Sequence, residues 1–87
     1  ERSLFRLDHR LARVLLRLPR SPQDQHIAVT QNELAELLGV TRQSVNQELQ
    51  RMEKLGWIRQ SRGRLWLTDL RGLTGFAGPS NADPWLN

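Results

Sequence analysis

The chain has 87 residues, of which 38% are hydrophobic and 25% are charged, and this composition suits one small soluble domain with little room for a second. The absence of cysteine excludes disulfides, thiolate metal sites and cysteine nucleophiles. The sequence also contains no run of about 18 apolar residues, which a membrane-spanning helix would require. Thirteen basic against nine acidic residues give a net charge of +4. Twelve of the basic residues are arginine, which is favoured for bidentate contact with phosphate or guanine. The charge therefore indicates a nucleic-acid partner, with an anionic membrane surface as the weaker alternative.

Residues 3–18 show the periodicity of an amphipathic helix that Pro19 ends. The apolar residues recur every three or four positions, at Leu4, Leu7, Leu11, Val14, Leu15 and Leu18. A neighbouring face carries Arg6, Arg10, Arg13 and Arg17. We expect this arginine face to be solvated, with contact to DNA phosphates as the alternative.

The next segment predicts a short strand followed by a capped helix. Residues 27–29 (Ile-Ala-Val) have the composition of a strand. Residues 30–33 (Thr-Gln-Asn-Glu) form a capping box, in which Thr30 caps the amide of Glu33 and the Glu33 side chain returns to Thr30. The helix that follows ends at Gly39, a residue suited to a left-handed helix exit.

Thr41 is placed to cap a second helix, from Arg42 to about Leu55. Its apolar arc consists of Val45, Leu49, Met52 and Leu55. A different arc carries one charge and four amides, on Arg42, Gln43, Asn46, Gln47 and Gln50. Glutamate and lysine usually dominate an exposed helical face, so this arc is unusual for a surface that only contacts solvent.

After the second helix the sequence predicts a β-hairpin and a short helical turn. Residues 57–60 and 65–68 have strand composition, and residues 61–64 (Ser-Arg-Gly-Arg) form the turn. Residues 69–73 suit one helical turn. Beyond them Gly, Pro, Asn and Ser dominate, so we assign residues 1–74 to the domain and residues 75–87 to a flexible tail.

Two capped helices joined by a glycine turn and followed by a hairpin predict a winged helix-turn-helix, mainly α with a small β-hairpin wing. Such a fold places its second helix, here residues 42–55, in the DNA major groove. Arginine pairs with the guanine edge, and Asn or Gln pairs with the adenine edge. The predicted base-reading residues are Arg42, Gln43, Asn46 and Gln47.

Phosphate contacts are predicted at the two helix N-termini and at the wing. Helix N-termini and hydroxyl groups bind phosphates, and the wing residues 61–64 carry two arginines. The predicted phosphate-binding residues are Thr30, Gln31, Thr41, Ser44, Arg62 and Arg64.

Residues 30–67 (TQNELAELLGVTRQSVNQELQRMEKLGWIRQSRGRLWL) resemble the C-terminal DNA-binding domain of the cyclic-AMP receptor protein and fumarate–nitrate regulator (Crp/Fnr) family of bacterial transcription factors. The preceding helix, HRLARVLLRL, also resembles that family. The resemblance implies that Arg42, Gln43 and Gln47 read the half-site. Arg42 keeps the Arg of the type member, whereas Gln43 replaces Glu and Gln47 replaces Arg. We therefore expect the guanine read by Arg42 to be retained and the flanking bases to change.

The resemblance also implies partners that lie outside this sequence. Intact members carry an upstream effector-binding domain and a dimerisation helix, both absent from these 87 residues, so we expect the chain to be a fragment of a cytoplasmic homodimeric regulator. The effector, for which a cyclic nucleotide is one candidate, belongs to the missing domain, and we expect no cofactor and no metal in this one. An inverted-repeat operator and RNA polymerase are the implied partners.

Two other classes of function are weaker. No nucleophile or carboxylate constellation is evident around His9 or His26, so we expect no enzyme. A winged helix can also serve as a protein–protein interaction module without reading DNA bases. Such a module should expose apolar or aromatic anchors on its recognition face, whereas the face predicted here carries Arg42 and amides.

Overall fold

The structure is a computed structural model and describes residues 6–78. This part of the chain consists of helices and short strands in the order α1 (Leu7–Arg17), β1 (Ile27–Ala28), α2 (Gln31–Leu38), α3 (Arg42–Lys54), β2 (Ile58–Ser61), β3 (Arg64–Leu67) and α4 (Leu70–Ala77). The predicted winged helix-turn-helix is confirmed: α2 and α3 form the helix pair, and β2 and β3 form the wing. Within residues 6–78, no helix is long and apolar enough to cross a membrane.

Helix α1 contributes three fully buried residues, Leu11, Ala12 and Leu15, to the core. The helix ends at Arg17, two residues before Pro19, because proline has no amide hydrogen to continue the helical pattern. Residues 3–5 of the predicted helix lie outside the described residues.

The prediction of a solvated arginine face on α1 is confirmed for Arg6 and Arg17, which are exposed, but is wrong for Arg13, and Arg10 is half-buried. Arg13 is only 8% exposed, and the Arg10 guanidinium donates to the Leu38 carbonyl over 2.9 Å. Helix α1 packs against α2, α3 and α4, so little of its circumference is left for solvent. Arg10 thus satisfies an orphan carbonyl at the C-terminus of α2.

Arg6, at the start of α1, forms an ion pair of 2.6 Å with Asp8. Burial raises the pKa of Asp8, but the hydrogen bonds from Arg6 and the His9 amide, together with the charge of Arg6, outweigh this effect and lower the pKa. The pair therefore stabilises the first turn of α1 as long as the carboxylate is ionised.

One core joins the helices to the inner face of the sheet. Besides α1, its buried members are Leu34, Ala35, Leu38, Val45, Leu49, Met52, Ile27, Ile58, Leu65, Leu73 and Ala77. Each large member contributes about 1.5–3 kcal/mol through burial. Leu55 belongs to the apolar arc predicted for the helix at residues 42–55 but is 55% exposed. Helix α3 ends at Lys54 and the chain turns at Gly56, where φ is 81°, so Leu55 stays at the surface.

The wing belongs to a three-stranded antiparallel sheet in the order β1-β3-β2. Ile27 pairs with Leu65, and Ile58 pairs with Leu67. The turn is tighter than predicted, since Ser61 and Arg64 already pair and only residues 62–63 connect the strands. Gly63 has a φ of 64°, a left-handed conformation that glycine adopts without strain.

Helix α4 is longer than the single turn predicted at residues 69–73. The Asp69 side chain caps it by accepting a hydrogen bond from the Gly72 amide over 2.9 Å, and the helix continues to Ala77, which is buried. The Phe76 ring packs between Trp57 and His9, with ring centroids 5.0 and 4.4 Å away. Residues 75–77, assigned to the tail from the sequence, are therefore helical, and residues 79–87 lie outside the described residues.

Candidate nucleic-acid interface

The two ends of α2 are fixed by local hydrogen bonds and by a left-handed glycine. Thr30 Oγ1 accepts from the Glu33 amide over 3.1 Å, and Glu33 Oε1 accepts from the Thr30 amide over 2.8 Å, so the predicted capping box is confirmed. Gly39 ends α2 in the left-handed conformation with a φ of 69°. These contacts fix where α2 begins and where it ends, and α3 follows directly after the Gly39 turn.

The first turn of α3 uses two hydroxyl groups. Thr41 Oγ1 accepts from the Ser44 amide over 3.1 Å, which confirms the predicted cap. The Thr41 hydroxyl donates to Ser44 Oγ over 2.9 Å. Because Ser44 accepts in that bond, its own hydroxyl hydrogen remains for another acceptor, such as a phosphate oxygen.

The outward face of α3 presents polar side chains to solvent. Arg42, Gln43, Gln47 and Gln50 are exposed, and Asn46 is half-buried. Among residues 6–78, no side chain forms a hydrogen bond or ion pair with Arg42, Gln43 or Gln47. These three predicted base-reading residues are therefore free to bind a ligand, whereas Asn46 also has an internal partner.

A cleft of about 470 Å³ lies between the N-termini of α2 and α3 and the wing. It brings together five of the predicted site residues, namely Thr30, Gln31, Arg42, Arg62 and Arg64. The three arginines have no acidic neighbour among the residues that line the cleft. The positive end of the α2 dipole also faces this space, so the cleft is suited to an anionic backbone.

The wing places two arginine side chains at its tip. Arg62 lies in the two-residue turn and Arg64 begins β3, and both are exposed. Behind the tip, the Arg59 guanidinium stacks over the Trp66 ring at 4.1 Å from the ring centroid. Arg59 is therefore held on the sheet, while Arg62 and Arg64 are available at the edge of the cleft.

A polar network behind the cleft was not predicted from the sequence. Gln31 Nε2 donates to Asn46 Oδ1 over 3.0 Å and to Gln60 Oε1 over 3.3 Å. Gln60 in turn donates to the Glu53 carboxylate. The network joins α2, α3 and β2, and no local sequence pattern indicates it, since Gln31 and Gln60 are 29 residues apart.

His26 has a carboxylate partner that sequence analysis missed. Its Nδ1 lies 2.5 Å from Asp24 Oδ1, and the Ser21 hydroxyl donates to the same oxygen over 2.6 Å. The Ser21 hydroxyl and the His26 ring both lower the pKa of Asp24. In a hydrolytic triad the serine bonds to the histidine, whereas here it bonds to the aspartate, so these residues lack the order that activates a nucleophile.

The family model described as a Crp-like helix-turn-helix domain matches residues 9–76. Two solved structures from Thermus thermophilus are similar to the chain. TTHA1359, a CRP/FNR-family transcriptional regulator, is 32% identical with a TM-score of 0.76, and the match covers 84% of this chain and 41% of that one. TTHB099, a CRP-family transcriptional regulator, is 31% identical with a TM-score of 0.75, and the match covers 85% and 41%.

The CO-dependent transcription factor CooA from Carboxydothermus hydrogenoformans is 29% identical with a TM-score of 0.70, and the match covers 82% of this chain and 36% of CooA. None of the curated proteins compared with the chain matches it. The chain spans about two fifths of the length of the Thermus regulators. The family match and these structures support DNA binding for transcription regulation, as the sequence predicted. The chain belongs to the Crp-like helix-turn-helix domain family.

Proposed function

We propose that the chain binds double-stranded DNA sequence-specifically, with α3 in the major groove and the wing on the sugar–phosphate backbone. The observation that carries this proposal is one continuous surface, in which the polar outward face of α3 meets the arginine-lined cleft. Among residues 6–78, the exposed large hydrophobic residues are Leu37 on α2, Leu55 at the end of α3 and Leu70 on α4. The outward face of α3 thus lacks the apolar anchors that a protein-docking face would use.

Bases are read by the N-terminal half of α3. Arg42 is the first residue of the helix, and its guanidinium matches the O6 and N7 atoms of guanine. The exposed amides of Gln43 and Gln47 follow one and five positions later and contact the flanking bases. Asn46 lies between them along the helix and is the fourth base-reading residue.

Phosphates are held on both sides of α3. The Thr30 hydroxyl and the Gln31 backbone amide contact a phosphate at the N-terminus of α2, where an anion is stabilised by about 0.3–1 kcal/mol. The Thr41 backbone amide and the Ser44 hydroxyl do the same at the N-terminus of α3. At the opposite edge of the cleft, Arg62 and Arg64 contact the backbone and carry no sequence information.

The chain works as part of a longer regulator. It spans only about two fifths of the Thermus structures, which supports an upstream effector-binding domain and a dimerisation helix. The effector, for which a cyclic nucleotide is a candidate, binds upstream, and this domain uses no cofactor or metal. The regulator is a homodimer that reads an inverted repeat with half-sites about 34 Å apart, and it contacts RNA polymerase. It acts in the cytoplasm and performs no catalysis.

A selection from a random duplex pool tests this proposal. The chain is joined to a dimerising helix and the selection is carried out at about 100 mM salt, where phosphate contacts alone bind weakly. Enrichment of an inverted repeat with a fixed guanine in each half supports the proposal. Salt-sensitive binding with no enriched motif would leave only a phosphate-binding domain, and no binding at all would favour the protein-interaction alternative.

A further inference from the structure

The polar network behind the cleft ends on a group that can only accept hydrogen bonds. Glu53, in the last turn of α3, accepts hydrogen bonds from the Gln60 backbone amide over 3.3 Å and from Gln60 Nε2 over 3.1 Å. Because a carboxylate oxygen has no hydrogen to donate, Gln60 must turn its NH₂ group toward Glu53. The Gln60 carbonyl oxygen is then the end that faces α2.

The orientation of the Gln60 amide determines the orientation of the Asn46 amide on α3. The Gln60 oxygen requires a donor, and Gln31 Nε2 provides it over 3.3 Å. The same nitrogen donates its second hydrogen to Asn46 Oδ1 over 3.0 Å. Since Nε2 has two hydrogens, both are used, and the oxygen of the Asn46 amide is turned toward Gln31.

We propose that Asn46 contacts DNA as a hydrogen-bond donor, and that Glu53 fixes this orientation through Gln60 and Gln31. This inference rests on the proposed DNA-binding function and concerns one base pair of the site. The end of the Asn46 amide directed away from Gln31 is its NH₂ group. It therefore favours a base that presents an acceptor, such as N7 or O6 of guanine or O4 of thymine.

The same argument changes the role of Gln31. Its side-chain hydrogens are committed to Asn46 and Gln60, so its side chain cannot also donate to a phosphate. The phosphate contact proposed at Gln31 is made by its backbone amide, which is the first of α2. Gln31, Gln60 and Glu53 are thus positioning residues that act through Asn46.

A pair of charge-matched variants of the 87-residue chain tests the inference. Glu53→Gln replaces the acceptor-only group with an amide that can also donate, so the network can reverse and Asn46 can turn its oxygen outward. Glu36→Gln is the control, because Glu36 is exposed on α2 and its replacement removes the same charge outside the network. Each variant is joined to the same dimerising helix, and the preference at every base pair is measured by selection from random duplexes at about 100 mM salt.

Relative to Glu36→Gln, Glu53→Gln is expected to flatten the preference at one base pair by about two- to tenfold, the value of one hydrogen bond, and to leave the other positions unchanged. Identical profiles for the two variants, or a loss of preference at every position, would overturn the inference. If the unmodified chain enriches no motif, the proposed function itself fails.

A second variant tests the donor directly. Asn46→Asp keeps an acceptor for Gln31 but replaces the outward NH₂ group with an oxygen. It is expected to weaken binding to the preferred base by about tenfold and to shift the preference toward cytosine, whose N4 group donates. An unchanged preference at every position would show that Asn46 does not contact a base and would overturn the inference.

Discussion

Arg64→Ala removes one of the three arginines that line the cleft beside α3. Each neutralised phosphate releases a counterion and contributes about −0.9 to the slope of log K against log salt. With one phosphate for each of the two wing arginines, Arg62 and Arg64, the unmodified chain should have a slope of about −1.8. The variant should have a slope of about −0.9.

These slopes convert into affinities that can be measured directly. Raising salt from about 50 to about 200 mM should weaken binding by the unmodified chain by about 12-fold and binding by Arg64→Ala by about 3.5-fold. Fluorescence anisotropy on a labelled duplex of random sequence gives both values. Replacing Arg64 is expected to reduce the affinity for an operator duplex by the same factor as the affinity for a random duplex, because a phosphate contact carries no base information.

The control for this experiment is Arg17→Ala. Arg17 is exposed near the end of α1 and is not among the residues that line the cleft, so its removal changes the net charge equally but should leave the slope near that of the unmodified chain. Equal slopes for the two variants would show that Arg64 acts only through net charge and would refute the assignment of the wing to the backbone. A change in base preference on removing Arg64 would also contradict it.

Three further changes test the base-reading face and the fold. Arg42→Ala should weaken operator binding by about 1–3 kcal/mol and relax one guanine position, and an equal loss on random duplexes would refute base reading. Gly72→Ala places a Cβ 2.7 Å from Trp57 Nε1 and should destabilise the fold by about 1–3 kcal/mol in urea unfolding, whereas Gly75→Ala, with no neighbour within 4 Å, should not. Asp8→Asn should reduce stability at neutral pH, and the deficit should shrink below about pH 4, because the lowered pKa of Asp8 stabilises the fold only while the carboxylate is ionised. A deficit that is independent of pH would contradict this account.

The features that were predicted correctly depend on residues close together in the sequence. The Thr30 capping box, the left-handed Gly39 and the Thr41 cap each involve hydrogen bonds or dihedral angles within one helical turn. Such local chemistry is visible in the sequence because the partners are three or four positions apart. The resemblance to the Crp/Fnr family adds the base-reading positions on α3, which stay a prediction.

The features that were missed depend on tertiary packing. Arg13 follows the periodicity of a solvated face, but the helices packed around α1 cover it. Leu55 continues the apolar arc of α3, but the chain turns away at Gly56. The partner of Asn46 could not be predicted either, since Gln31 is 15 residues away and reaches it only once α2 packs on α3.

Amide chemical-shift mapping of the 87-residue chain on titration with a duplex tests the central claim most directly. The account predicts that the largest shifts fall on residues 30–32, 41–47 and 61–64, which form the α2 N-terminus, the outward face of α3 and the wing tip. Residues 13–17 of α1 should stay unchanged. Shifts centred on the exposed Leu37 of α2 or on the Arg59–Trp66 face of the sheet, with α3 unperturbed, would contradict the account.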